Sequence, residues 1–221
     1  MKVQRQDVLD AALALLDEVG MEGLTMRRLA QALGIQAPSL YWHFPSKQAL
    51  LDAMADAILA GVVLPDDPAL PWDAWARLVA TEFRRALKAR RDGARVYAGT
   101  FPLLDNVLRV GEAVLGRLIL AGADRRTAAY ALFTVQYFVI GFTIEEQALA
   151  PHPGGVDLAQ QAERMTAEQA ARYPHTASVL SIVVDDDQDA RFRFGLDRVI
   201  DGLKAVIPAD RCPADGPRGL G

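Results

Sequence analysis

Apolar residues recur every three or four positions along most of the chain, and this spacing predicts a fold built of helices alone. Residues so spaced share one face of a helix, whereas no stretch alternates apolar and polar residues as a half-buried strand does. The first predicted helix covers residues 6–19 and stops at Gly20. Longer helices are predicted over 46–61, 72–87, 105–120, 125–148 and 188–207. We expect an all-α protein.

Proline-rich stretches divide this series of helices. Pro65, Pro68 and Pro71 fall within 64–71, and residues that lack a backbone N–H interrupt a helix, so we expect a linker there. After a second break at 151–155, a polar stretch is predicted to be helical but mobile. Beyond Pro208 the tail is predicted to be disordered.

Composition and charge limit the classes of protein to consider. The 221 residues are 51% hydrophobic and 24% charged, which is typical of a globular protein with a buried core. Because 24 Lys and Arg residues face 28 Asp and Glu residues, any surface for nucleic acid must be local. The single cysteine, Cys212, excludes an intramolecular disulfide, which fits a reducing compartment, and we expect a cytoplasmic protein.

The sequence gives little sign of a targeting or membrane segment. The first ten residues include four charged side chains and have no apolar core of the kind that a signal peptide needs. The uncharged run 128–144 is at the short limit for crossing a bilayer and meets Glu145 and Glu146 at once. Between a membrane span and a buried helix, we favour the buried helix.

Two short predicted helices flank a glycine near the N-terminus. Thr25 is placed to cap the first, Gly34 allows a sharp turn, and Pro38 suits the first turn of the second. This arrangement is typical of a helix-turn-helix, whose second helix lies in the DNA major groove.

The residues of the second short helix divide into an inward and an outward set. Leu40, Trp42 and Phe44 are expected to be mostly core. Tyr41, His43 and Lys47 are then free to reach phosphates, although His43 has the alternative of a merely exposed ring. Ala37, Pro38 and Ser39 are expected nearest the base edges.

The segments GLTMRRLA (23–30) and LYWHFPSK (40–47) closely resemble the DNA-binding domain of the TetR family of transcriptional repressors. The resemblance implies a homodimer that binds a palindromic double-stranded DNA operator and is released by a small-molecule effector. It implies a helix-turn-helix domain over 1–47, a connecting helix over 48–64 and a ligand-binding and dimerisation domain over 65–207, followed by the tail 208–221. The helices 125–148 and 188–207 are the expected dimer contacts, since pairing them with their copies makes a four-helix bundle.

The resemblance also assigns individual DNA contacts. It places Thr25 and Arg27 at the start of the supporting helix, and the fork of Arg27 suits a guanine edge or a phosphate. Ala37 departs from the tetracycline repressor branch, which has a glutamine there, so the operator sequence should differ. The expected contacts are Thr25, Arg27, Ala37, Pro38, Ser39, Tyr41, His43 and Lys47.

In the second domain the chain looks like the tetracycline repressor branch, with an altered pocket. Tyr97 and Tyr137 stand where that branch has histidines, Phe101 replaces an arginine, Val63 a histidine and Val79 an asparagine. Magnesium prefers octahedral oxygen ligands, which the retained Thr100 and Glu145 alone do not supply. We therefore expect no metal, no cofactor and no recognition of tetracycline with magnesium.

The remaining pocket candidates are mostly aromatic, which favours a flat or largely apolar effector. The alternative for these rings is that they only fill the core, and Glu145 is either a ligand anchor or a surface charge. The candidates are Phe83, Tyr97, Thr100, Phe101, Pro102, Phe133, Tyr137 and Glu145.

Enzymatic motifs are missing from the sequence. There is no Gly-x-Ser-x-Gly elbow, P-loop or His-Glu-x-x-His motif, and His43, His152 and His175 are scattered. Two other classes stay open: a protein that only sequesters a ligand, and a helical enzyme that uses Glu145 with a tyrosine. We expect the chain not to be an enzyme.

Overall fold

The computed structural model describes residues 3–149, 157–184 and 187–207. In these residues all regular structure is helical, which confirms the all-α prediction. The helices are α1 (Arg5–Gly23), α2 (Met26–Ala32), α3 (Ala37–Leu40), α4 (Lys47–Leu59), α5 (Trp72–Lys88), α6 (Gly93–Tyr97), α7 (Asp105–Leu120), α8 (Arg125–Ala148), α9 (Leu158–Glu163), α10 (Ala167–Arg172), α11 (Pro174–Val183) and α12 (Gln188–Leu203).

Helices α1 to α3 pack around one small core. The Thr25 side chain accepts a hydrogen bond from the Arg28 backbone N–H and so caps α2, as its position predicts. Gly34 has a φ of 65°, a left-handed conformation that suits glycine and turns the chain into α3. Leu40 and Phe44 are buried in this core, but Trp42 is 90% exposed, so its prediction as a core residue is wrong. Trp42 lies in the turn that follows α3, where its side chain is open to solvent.

Helix α4 leads from this core into the second half of the chain. The Ser46 side chain caps it by accepting from the Ala49 backbone N–H. Asp56, on its C-terminal half, accepts hydrogen bonds from the backbone N–H groups of Asn106 and Val107 at the start of α7. The first turn of α7 thus receives from α4 the acceptors that its own residues lack.

The second half packs α5, α6, α7 and α12 around α8. Its core includes Phe83, Leu87, Val139, Phe192 and Ile200. Arg84 carries a charge, but it is buried between α5, α8 and α12. Carboxylates from α8 and α12 explain this burial, because a charged side chain is seldom buried unless it is paired.

Helix α8 is not the buried helix that its composition suggests. One face packs on the domain, while Tyr130 and Tyr137 lie exposed on the other. By length and composition alone this helix of 24 residues is able to cross a membrane, since its most apolar window has a mean hydropathy of 1.5. Only 22% of that window is buried within the protomer. That test is equally passed by a helix whose open face is covered by another protein chain.

Helices α9 to α11 occupy the polar stretch that follows. Thr166 and Gln169 form a capping box at the start of α10, in which each side chain accepts a hydrogen bond from the other residue's backbone N–H. The break at 151–155 and the tail 208–221 lie outside the described residues.

Candidate functional site

The outward side of α2, α3 and the turn after them forms one candidate surface. Arg27, Pro38, Tyr41, Trp42 and Lys47 are all exposed there. These side chains are free for an external partner, because the packing of α1 to α3 does not use them.

The other predicted contact residues lie at the same end of the molecule. Thr25 is exposed, although its hydroxyl already caps α2, and Ala37, Ser39 and His43 are half-buried. Phe44 is not available, since it is buried with the Arg5 guanidinium 4.5 Å from its ring centre. The structure thus brings the eight predicted contacts together.

Charge is distributed unevenly around this surface. Residues 25–47 contain Arg27, Arg28 and Lys47 and no Asp or Glu, in a chain whose formal net charge is −4. A local cationic patch of this kind suits contact with phosphates. We call the surface formed by the exposed side chains of residues 25–47 the cationic face.

A second candidate site is a cavity of about 100 Å³ between α5, α7 and α8, several times the space that a water molecule needs. One face of α7 supplies Val107, Val110, Gly111 and Val114, and α5 supplies Trp72, Trp75, Val79 and Phe83. Leu59 of α4 and Tyr97 of α6 also reach it. The lining is apolar and aromatic, as is common for sites that bind small organic molecules.

Three polar side chains interrupt this apolar lining: Tyr97, Arg117 and Gln136. The Tyr97 ring meets Phe83 edge to face, with ring centres 5.2 Å apart. Burial raises the pKa of the Tyr97 hydroxyl, so this group stays protonated and able to donate a hydrogen bond.

The eight predicted pocket residues divide around this cavity. Phe83 and Tyr97 line it. Thr100 is buried behind Tyr97, where its hydroxyl donates to the Tyr97 carbonyl oxygen at 2.7 Å, and Pro102 is buried as well. Neither residue lines the cavity.

The remaining candidates lie outside the cavity. Phe101 is 74% exposed. Phe133 and Tyr137 stack on each other on the open face of α8, with ring centres 5.7 Å apart. Glu145 is exposed and, with Phe138 and other residues, lines a separate surface cleft.

The cavity does not fit a ligand that carries magnesium. Its lining includes no carboxylate, and magnesium binds through oxygen ligands, of which carboxylates are the usual protein source. Among the residues that the structure describes, no cluster of three His, Cys, Asp or Glu side chains could hold a metal ion.

Two structural links join the cavity to the cationic face. Helix α4 contributes Leu59 to the lining and caps α7 through Asp56. The second link joins α6, which carries Tyr97, to α1. The Asp92 carboxylate accepts a hydrogen bond of 2.8 Å from the Met21 N–H, directly after the kink at Gly20.

The geometry of the second link is specific. Gly20 has a φ of 71° and Asp92 a φ of 55°, both in the left-handed region. A Cβ at position 20 would stand 2.9 Å from the Asp92 carboxylate oxygen, so the close approach requires glycine. Beside it, Arg90 pairs with Asp17 and Arg95 with Glu22. Several polar contacts therefore hold α6 against α1.

Sequence reasoning missed Arg117 and Gln136 as lining residues. A signal for Arg117 was present, because Val107, Val110, Val114 and Arg117 follow one another at helical spacing and so share one face of α7. Gln136 gives no such signal, since its position depends on how α8 rotates against α5.

Two family models match the chain. Residues 8–54 match "Bacterial regulatory proteins, tetR family", and residues 64–207 match "Tetracyclin repressor-like, C-terminal domain". The chain is 41% identical over 211 residues to the tetracycline repressor protein class C of Escherichia coli, an alignment that covers 93% of this chain and 92% of the relative.

Solved structures agree with these matches. One, described as "a possible TetR family transcriptional regulator" from Streptomyces coelicolor A3(2), is 42% identical, with a TM-score of 0.83 over 92% of this chain and all of the other. The Streptomyces coelicolor TetR family protein ActR, solved in complex with actinorhodin, is 30% identical, with a TM-score of 0.80 over 93% of this chain and 98% of its own.

Proposed function

The chain belongs to the tetR family of bacterial regulatory proteins, and we propose that it represses transcription by binding a palindromic operator as a homodimer until a small effector releases it. The observation that carries this proposal is that one chain combines an exposed cationic face on a helix-turn-helix with an apolar cavity, joined by two structural links. The proposed domain limits are those of the sequence: 1–47, 48–64 and 65–207.

The cationic face is the proposed operator contact. Tyr41 and Lys47 are placed to bind phosphates and so to fix the position of α3 on the duplex. Arg27 is suited to a guanine edge, and Ala37, Pro38 and Ser39 to the base edges nearest the start of α3. Alanine at position 37 offers apolar contact only, for instance to a thymine methyl group.

The open faces of α8 and α12 are the proposed dimer contact. Tyr130, Phe133 and Tyr137 on α8 and Phe194 on α12 lie exposed on the protomer, and aromatic residues are enriched in protein interfaces. Pairing α8 and α12 with their copies buries these rings in a four-helix bundle. The two copies of α3 would then meet half-sites one DNA turn apart, roughly 34–36 Å.

The cavity is the proposed effector site, and its lining favours a flat, largely apolar molecule. Effector binding favours a conformer in which the two copies of α3 no longer fit adjacent major grooves. The change of conformation at the cavity reaches α3 through α4 and through the contact between Gly20 and Asp92. A coupling of roughly 1–3 kcal/mol is typical of such a response.

Selection of binding sites from random DNA duplexes at one fixed salt concentration tests the repressor function. We expect the wild type to enrich a palindrome and a Tyr41→Ala, Lys47→Ala variant to enrich none. Both side chains are exposed, so this variant should fold normally. Equal enrichment by both proteins, or by neither, would contradict the proposal and leave a ligand-binding role as the alternative.

A further inference from the structure

Given the effector site proposed above, we propose that the effector is a planar aromatic acid and that Arg117 binds its carboxylate. Arg117 is the one charged residue of the cavity lining, all of which lies in the described part of the chain. Its position at the C-terminal end of α7 puts a cation beside the aromatic wall that α5 contributes.

The partners of Arg117 leave its charge uncompensated. Its Nη2 donates to the backbone carbonyl oxygens of Asp67 and Leu70 in the linker, and its guanidinium lies 5.8 Å from the centre of the Trp75 ring. Neither Nε nor Nη1 donates to any described residue. The two carbonyl groups hold the side chain in place but supply no negative charge, so the guanidinium keeps donors for an anion.

Other arginines of the same domain differ from Arg117 because they have carboxylate partners. Arg77 pairs with Asp73 and Asp197, and Arg84 pairs with Glu146 and Asp189. These arginines are neutralised by carboxylates of the chain itself. No carboxylate of the described residues lies within ion-pair distance of Arg117, and an anionic ligand would supply the missing charge.

The rest of the lining defines the body of the ligand. Trp72, Trp75 and Phe83 present aromatic surface, which favours a flat ring system. The Tyr97 hydroxyl and the Gln136 amide make no hydrogen bond with a described residue, so they are free to orient a single polar substituent. An acid at one end and an aromatic body match this distribution of groups.

Isothermal titration of the full-length protein with two matched probes tests the inference. The probes are 2-naphthoate, which is ionised at neutral pH, and 2-naphthol, which has the same rings and is neutral there. We expect the wild type to bind 2-naphthoate roughly tenfold more tightly, the effect of one hydrogen bond to a charged group.

Three variants separate the role of Arg117 from a structural one. Arg117→Met should remove the preference for 2-naphthoate, and Arg117→Lys should keep part of it, because the positive charge remains. Arg109→Met is the matched control: Arg109 lies on the same helix and also donates to two carbonyl oxygens, those of Leu59 and Val62, but does not line the cavity. It should leave the preference unchanged.

Each contrary result has a distinct meaning. If the wild type binds both probes equally, or if Arg117→Met retains the preference, Arg117 does not bind an acid and the inference is overturned, while the cavity remains the effector site. If neither probe binds to the wild type, the inference fails together with the effector site itself. The operator selection described above is independent of both probes and tests the DNA-binding role separately.

Discussion

Arg84 and Glu146 form a paired contact in the interior of the second domain, where the Nε and Nη2 groups of Arg84 donate to the two carboxylate oxygens at 2.9 and 2.6 Å. The side chains are only 7% and 8% exposed. Such paired hydrogen bonds between ions fix the relative orientation of their helices. Arg84 follows Phe83, which lines the cavity, so the contact holds this part of α5 against α8.

Glu146→Gln should lower the free energy of unfolding by about 3 kcal/mol, because it leaves the buried Arg84 without its main counter-ion. Urea unfolding at one fixed protein concentration measures this loss. The double variant Arg84→Met, Glu146→Leu should recover most of the stability, since it removes both buried charges. The exposed Arg85, which pairs with Glu82 on the same helix, is the control, and Arg85→Ala should have a much smaller effect. Equal losses for Glu146→Gln and Arg85→Ala would show that the buried pair has no special role.

Trp42→Ala and Phe44→Ala should differ sharply in stability although the two residues are close in sequence. Phe44 is buried, and its truncation should cost about 3–5 kcal/mol of the free energy of unfolding. Trp42 is exposed, so its replacement should change the value by less than about 0.5 kcal/mol. Thermal unfolding of both variants measures the difference. A large loss for Trp42→Ala would mean that this ring is covered in the folded protein.

Gly111→Leu should block the cavity while operator binding is retained. A Cβ at position 111 meets no atom within 4 Å, so the larger side chain extends into the cavity without a clash at its base. Titration with 2-naphthoate should show no binding. Gly116→Leu is the matched control: it lies on the same helix, is equally open and does not line the cavity. Unchanged binding in Gly111→Leu would place the ligand elsewhere.

Asp56→Ala should loosen the start of α7. The Asp56 carboxylate accepts from the Asn106 and Val107 N–H groups, and groups left unpaired there should lower the free energy of unfolding by roughly 1–3 kcal/mol. Hydrogen exchange at these two amides should also become faster. Among the described residues Asp52, on the same helix, bonds to the Gln48 side chain and not to α7, so Asp52→Ala should leave exchange at α7 unchanged. If both variants behave alike, α4 does not hold α7 through Asp56.

Local signals predicted the helices well. Helices α7 and α8 begin and end at the predicted residues, since Asp124 caps α8 and Gly122 ends the preceding turn with a φ of 99°. Thr25 and Gly34 likewise mark the ends of α2. Each of these signals acts over a few residues, so the sequence alone contains it.

Burial was harder to predict, because it depends on which helix packs opposite. Trp42 has an apolar ring of the kind usually found in a core, yet it is exposed. Arg84 has a charged side chain of the kind usually found on the surface, yet it is buried. The aromatic residues Phe101 and Tyr137 lie outside the cavity for the same reason: their types suit a pocket, but the rotation of their segments directs them outward. Phe83 and Tyr97 line it because α5 and α6 turn them inward.

The positions of the three tryptophans allow intrinsic fluorescence to monitor both candidate sites. Trp72 and Trp75 form part of the cavity wall, and Trp42 lies on the cationic face. The chain contains no further tryptophan. The fluorescence of the unlabelled protein therefore combines emission from the cavity and from the cationic face. Replacing Trp42 with phenylalanine leaves only the emission of Trp72 and Trp75, beside the effector.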